Sequence, residues 1–90
     1  MPTPTHITAA GNIEVPCYLA LLALGFTVSR QWIESGQHDE LWHAIRDDVH
    51  LRASGPIELL GLAKLHELRG NDWLAEDQEI ESFMSLFYPD

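Results

Sequence analysis

Cations are scarce in this chain. Five Lys and Arg stand against 14 Asp and Glu among 90 residues, a formal net charge of −9 with histidine neutral. That balance excludes non-specific nucleic-acid binding, which needs clustered Lys and Arg against phosphate. It also excludes the basic amphipathic face that holds a helix on an anionic membrane. Cysteine is nearly absent. Cys17 stands alone, so it has no intrachain disulfide partner and belongs to no CxxC pair. A lone thiol favours a reducing, cytoplasmic setting. Long apolar runs are missing too. The longest, Val15–Leu24, is interrupted by Pro16, and a membrane span needs about 20 residues. Met1–Gly11 has neither the basic start nor the apolar core of a signal peptide.

Catalytic signatures are also lacking. There is no G-x-S-x-G, no glycine-rich phosphate loop, no P-loop lysine and no HExxH. Paired carboxylates are plentiful, but a small domain leaves little room for the cleft that would shift a carboxylate pKa. The chain therefore reads as a non-enzyme, with no cofactor and no metal.

What is present is patterning. Hydrophobic residues make up 46% of the chain, too many for a disordered acidic tail, and the length suits one domain. Residues 1–12 read as a flexible arm, with His6–Ala9 as an extended stretch; residues 13–90 read as the domain. Val15–Leu24 has proline near its start and Gly25 just past its end, which frames a short, mostly buried helix. Phe26–Ile33 alternates at period two, with Phe26, Val28, Arg30 and Trp32 on one face, as a half-buried strand does. Glu34–Asp39 reads as a loop centred on Gly36.

Two further alternating runs flank Asp47-Asp48, which predicts a two-residue hairpin. The register follows. Arg46 faces Val49, Ala44 faces Leu51 and Trp42 faces Ala53, which puts Trp42, Val49 and Leu51 on the core face and His43 and Arg52 on the other. Pro56–Arg69 is apolar almost all round and is expected at the centre of the core, closed by Gly70. Ala75–Phe87 carries Ile80, Phe83, Met84 and Phe87 at i, i+3, i+4 and i+7, the stripe of an amphipathic helix. The expected fold is α+β: a three-stranded antiparallel sheet with three helices packed on one face, in the order α-β-β-β-α-α. Leu60, Leu62 and Phe83 are expected to cover the sheet.

Three side-chain groups merit weighing. His43 and His50 lie diagonally across the hairpin, where two imidazoles could share a metal with Asp39 or Asp48; the plainer reading, surface residues beside Arg52, is preferred. Trp32, Trp42 and Trp73 read first as core and second as interface anchors. The acids weigh most. Asp72, Glu76, Asp77, Glu79 and Glu81 fall in a run without Lys or Arg, and Glu76, Asp77 and Glu79 begin a helix, where negative charge suits the dipole. Asp39, Asp47 and Asp48 form further clusters at the loop and hairpin end of the sheet. Asp72, Glu76, Asp77, Glu79, Asp39, Asp47 and Asp48 are therefore the candidate partner-binding residues, and the partner they suit is a basic protein.

The run PIELLGLAKLHELRGNDW before an acidic helix start, and LALLALGFTVS before the hairpin, look like a pattern found in small bacterial proteins. In size, acidity and lack of catalytic motifs the chain resembles bacterial immunity proteins. That resemblance implies a cytoplasmic inhibitor that occludes a basic toxin domain, with nucleases the foremost kind. It transfers no contact residue. The alternatives are a phage-type inhibitor mimicking nucleic-acid charge, or a small homodimeric structural or regulatory subunit that pairs through its open sheet face.

Overall fold

A computed structural model describes residues 3–9, 11–34 and 38–90. The order is α1 (Glu14–Ala23), β1 (Thr27–Glu34), β2 (His38–Arg46), β3 (Val49–Ala53), α2 (Pro56–Arg69) and α3 (Asp77–Phe87). The three strands form one antiparallel sheet in the order β1-β2-β3. The α+β class and the element order are those the sequence predicts. Residues 3–9 are exposed and join no strand, so the extended stretch expected at His6–Ala9 finds no ladder to pair with.

The β2–β3 hairpin has the register that the alternating runs predict. Arg46 pairs with Val49, Ala44 with Leu51 and Trp42 with Ala53, as the alternation requires. Asp47 takes a positive φ of 53°, the left-handed conformation that a two-residue hairpin loop demands and that Asp tolerates better than most residues. The first hairpin is longer than expected. Ile33 pairs with Asp39 and Glu34 with His38, so the ladder runs into the segment read as loop; the loop centre at 35–37 lies outside the described residues.

α1 ends in a left-handed cap. Gly25 has φ 93°, and its N–H donates to the Leu22 carbonyl while Phe26 N–H donates to the Leu21 carbonyl. This pairing satisfies the carbonyls the last turn leaves free. It also turns the chain so that Phe26 enters the core. Arg46 closes the corner: its guanidinium donates to the Leu24 carbonyl at 2.7 Å and lies over the Phe26 ring, 4.5 Å from its centroid. α2 opens with proline at its first turn and Gly55 as N-cap. Glu58 reaches back to accept from the Ser54 N–H and hydroxyl.

The core is small. Leu21, Phe26, Ala44, Leu59 and Ala63 are buried, with Val28, Trp42, Val49, Leu51, Ala53 and Leu60 packed partly against them. α1 packs on α2, and both cover the sheet. α3 does not. None of its residues is buried, and it forms no extensive contact with the other elements. Phe83 is thus exposed rather than packed over Trp42 and Leu51, a correction to the expected core. The cause is the connection at 70–76, which carries α3 off the end of α2 instead of back across the sheet. The radius of gyration, 16.3 Å, exceeds the ~12 Å of a compact domain of this length.

Candidate protein-binding surface

α3 begins with reciprocal capping. Glu76 is the N-cap, its carboxylate accepting from the Glu79 backbone N–H, while Glu79 accepts from the Glu76 N–H at 2.8 Å. Two of the donors that a helix start leaves free are satisfied in this way. The Glu79 carboxylate also meets the Arg69 guanidinium at 3.3 Å. The Glu76 N–H first, and then Arg69, hold the Glu79 carboxyl below the ordinary glutamate range. Arg69 further donates to the Leu74 carbonyl at 3.4 Å, so one guanidinium braces the connection between α2 and α3.

The seven candidate acids divide into three groups. Glu76, Asp77 and Glu79 are exposed at the start of α3, but Glu76 and Glu79 are engaged in the cap and Glu79 also with Arg69, which leaves Asp77 as the freer charge. Asp47 and Asp48 are exposed at the β2–β3 turn, and Asp72 is exposed in the connection. These last two places face one another. A cleft of about 590 Å³ runs along β3, lined on one side by Asp48, His50 and Arg52 and on the other by His66, Asn71 and Trp73. Asp39 does not join them. It lies in β2 near the end opposite the Asp47-Asp48 turn, roughly 25 Å away along an extended strand, which corrects its grouping with the hairpin acids. The Asp39 side chain lies outside the described residues.

The histidine pair is real as a contact. His43 Nδ1 and His50 Nε2 are 2.9 Å apart, and His43 Nε2 is 3.1 Å from Gln31 Oε1. Gln31, His43 and His50 thus form a polar chain across the three strands. Among the described residues no cluster of three His, Cys, Asp or Glu surrounds the pair, and both rings lie on the open, polar sheet face with Arg52.

Sequence reasoning missed the apolar part of the surface. Val15, Tyr18, Leu19 and Leu22 of α1 are exposed, as are Trp73, Leu74 and the whole α3 stripe. The signal was available for Glu79: the Glu76-x-x-Glu79 spacing is that of a capping box. At the far end of the sheet, Trp32 is on the face expected but lies half-exposed beneath Arg30, whose guanidinium carbon is 5.3 Å from the ring centroid and which also pairs with Glu40 at 3.6 Å.

Compared with protein-family models, curated proteins and solved structures, the chain matches none. Among the described residues, no helix is long and apolar enough to cross a membrane.

Proposed function

We propose that the chain is a non-catalytic binding protein that acts by occluding a basic surface on a protein partner, in the manner of an immunity protein set against a toxin domain. One observation carries this reading: α3 stands clear of the core with an acidic margin, Glu76, Asp77 and Glu81, in full view of solvent. A net charge of −9 on 10.2 kDa draws a basic partner from beyond contact range and repels acidic ones. A nuclease or other phosphate-handling site is basic by necessity, so a small acidic body can cover it without chemistry of its own. Asp48, which lines the β3 cleft, and Asp72, exposed in the connection between α2 and α3, extend the same field toward the hairpin.

The test uses the full chain as immobilised bait at low salt, with captured proteins identified by mass spectrometry. Association rates are then compared for wild type and a Asp72→Lys, Asp77→Lys, Glu81→Lys variant. These positions leave the cap and the Arg69 pair intact. The expected partner is basic, and the variant associates more slowly at low salt, with the difference closing as salt screens charges beyond about 8 Å. An acidic partner, or equal rates at low salt, would sink the proposal. A toxin gene in the adjoining reading frame would give independent support for the immunity assignment.

A further inference from the structure

α1 and α3 carry matching, unpartnered faces. On α1, Val15, Tyr18, Leu19 and Leu22 follow the i, i+3, i+4, i+7 pattern and are 36–55% exposed. Leu21, on the inner side of the same helix, is fully buried, so α1 is apolar on both its inner and its outer side. On α3, Ile80, Phe83, Met84 and Phe87 follow the same pattern and are 46–66% exposed. Phe83 and Phe87 already stack on one another at 5.1 Å between centroids. A helix apolar all round belongs inside an assembly, and a helix with one apolar stripe must bury it against something.

We propose that the occupant of each face is the other face in a second copy of this chain: α3 of one protomer lies along the outer side of α1 of its partner, reciprocally, in a two-fold dimer. Four observations support this pairing. The first is area. The chain exposes 7614 Å², against about 5,300 Å² for a compact monomer of its mass. The arm at 3–9 accounts for part of this excess of about 2,300 Å², against the roughly 800 Å² per partner that a stable dimer buries. The second is charge. Glu14 is the only ionic residue of α1, and the α3 stripe has none, so the two stripes meet apolar on apolar, with Glu14 and Glu40 at the rim of the receiving cleft beside Arg30.

The third is reception. The Val15 and Tyr18 end of α1 borders a cleft of about 460 Å³ that includes Trp42, Arg30 and Glu40, a place for an aromatic anchor at the centre of a contact. The fourth is reach. α3 leaves α2 on the 70–76 connection and makes no extensive contact within its own chain, the geometry of an element exchanged between protomers. The sheet face expected to dimerise is less suited: Thr27, Ser29, Gln31, His43, His50 and Arg52 make it polar, with Ile45 its exposed large apolar residue.

Sedimentation of the full chain at micromolar concentration tests the pairing, and needs no toxin or other partner. The expected mass is twice 10.2 kDa. Leu19→Glu and Phe83→Glu each raise the dimer dissociation constant by at least about a hundredfold, since an unpaired carboxylate resists burial. Leu86→Glu, on the same helix but off the stripe, leaves the mass unchanged. Mixing the two disrupted variants is decisive. A reciprocal exchange keeps one intact contact, the α1 of the Phe83→Glu chain with the α3 of the Leu19→Glu chain, so the mixture regains association that neither variant has alone. That rescue also requires both variants to be folded. A wild-type monomer, a dimer indifferent to both substitutions, or a mixture that stays monomeric each overturns the proposal. A monomer with α3 amides protected from exchange would place α3 on its own α1 and overturns it as well. Charge reversal at Asp72, Asp77 and Glu81 leaves the dimer mass unaltered, so the dimer and the basic-partner reading fail separately.

Discussion

The two ends of the chain use similar helices differently. α1 and α2 press Leu21, Leu59 and Ala63 onto a sheet and complete the core. α3 has the cleaner amphipathic stripe of the set, yet none of its residues is buried. The contrast separates two properties that a hydrophobic pattern blends. Periodicity says that a face requires cover; the connection preceding the helix decides whether its own chain supplies it. Between β3 and α2 only Ser54 and Gly55 intervene, and the helix falls back on the sheet. Between α2 and α3 the chain passes through Gly70, with φ 64°, and departs.

The sharpest way to break that contrast is to truncate one apolar residue in each region. Leu59→Ala should lower unfolding stability by about 2–5 kcal/mol, as for other fully buried leucines. Phe83→Ala, measured in a Leu19→Glu background so that the proposed dimer contact is removed, should change it by less than about 0.5 kcal/mol, as exposed sites do. Denaturant titration of both settles the point; a comparable loss at Phe83 would mean that α3 packs on its own core.

A smaller effect is expected at the α1 corner. Gly25→Ala must hold a side chain at φ 93°, with its Cβ 3.3 Å from Arg46 Cδ, and should cost about 1–2 kcal/mol. A neutral result by thermal melting would show that the cap can open without loss.

The smallest concerns Glu79. Its carboxyl is held below the ordinary range by the Glu76 N–H and by Arg69. A group whose folded pKa is depressed supports the fold above its unfolded value and loses that support as pH falls through the folded one. The start of α3 should therefore fray on acidification, in step with the Glu79 carboxyl resonance, while β2 and α2 hold. A Glu79 carboxyl that titrates in the ordinary glutamate range would remove the Arg69 brace from the account.

Much of the fold was legible because its signals are local. Asp47-Asp48 between alternating runs set the β2–β3 register residue for residue, and proline and glycine bounded α2 at Pro56 and Arg69. The β1–β2 tip was not legible, since its polar residues resemble a loop whether or not they pair. Trp32 shows the same limit from the other side: alternation assigned it a face, but the helices that cover that face stop short of it. For the surface, charge was readable at Asp47, Asp48, Asp72, Glu76 and Asp77, because acids without partners stay in water. The grouping was not, since facing Asp48 across from Asn71 and Trp73 depends on where α2 ends, and separating Asp39 from them depends on the length of β2.

The Arg46 clasp bears on the order of assembly. Residues 38–69 fold through short closures, a two-residue turn and a two-residue link into α2, whereas the clasp joins Arg46 to a carbonyl 22 residues away. Loop entropy and turn chemistry both favour the local pieces first. The hairpin and α2 then form the nucleus, and α1 is latched afterwards by a guanidinium that the finished hairpin holds out. Contacts made after the barrier govern escape rather than entry. Arg46→Ala should therefore speed unfolding and leave the refolding rate nearly untouched in stopped-flow kinetics; slowed refolding would put the latch inside the nucleus. On this account Arg46 acts as a timer on how long α1 stays docked.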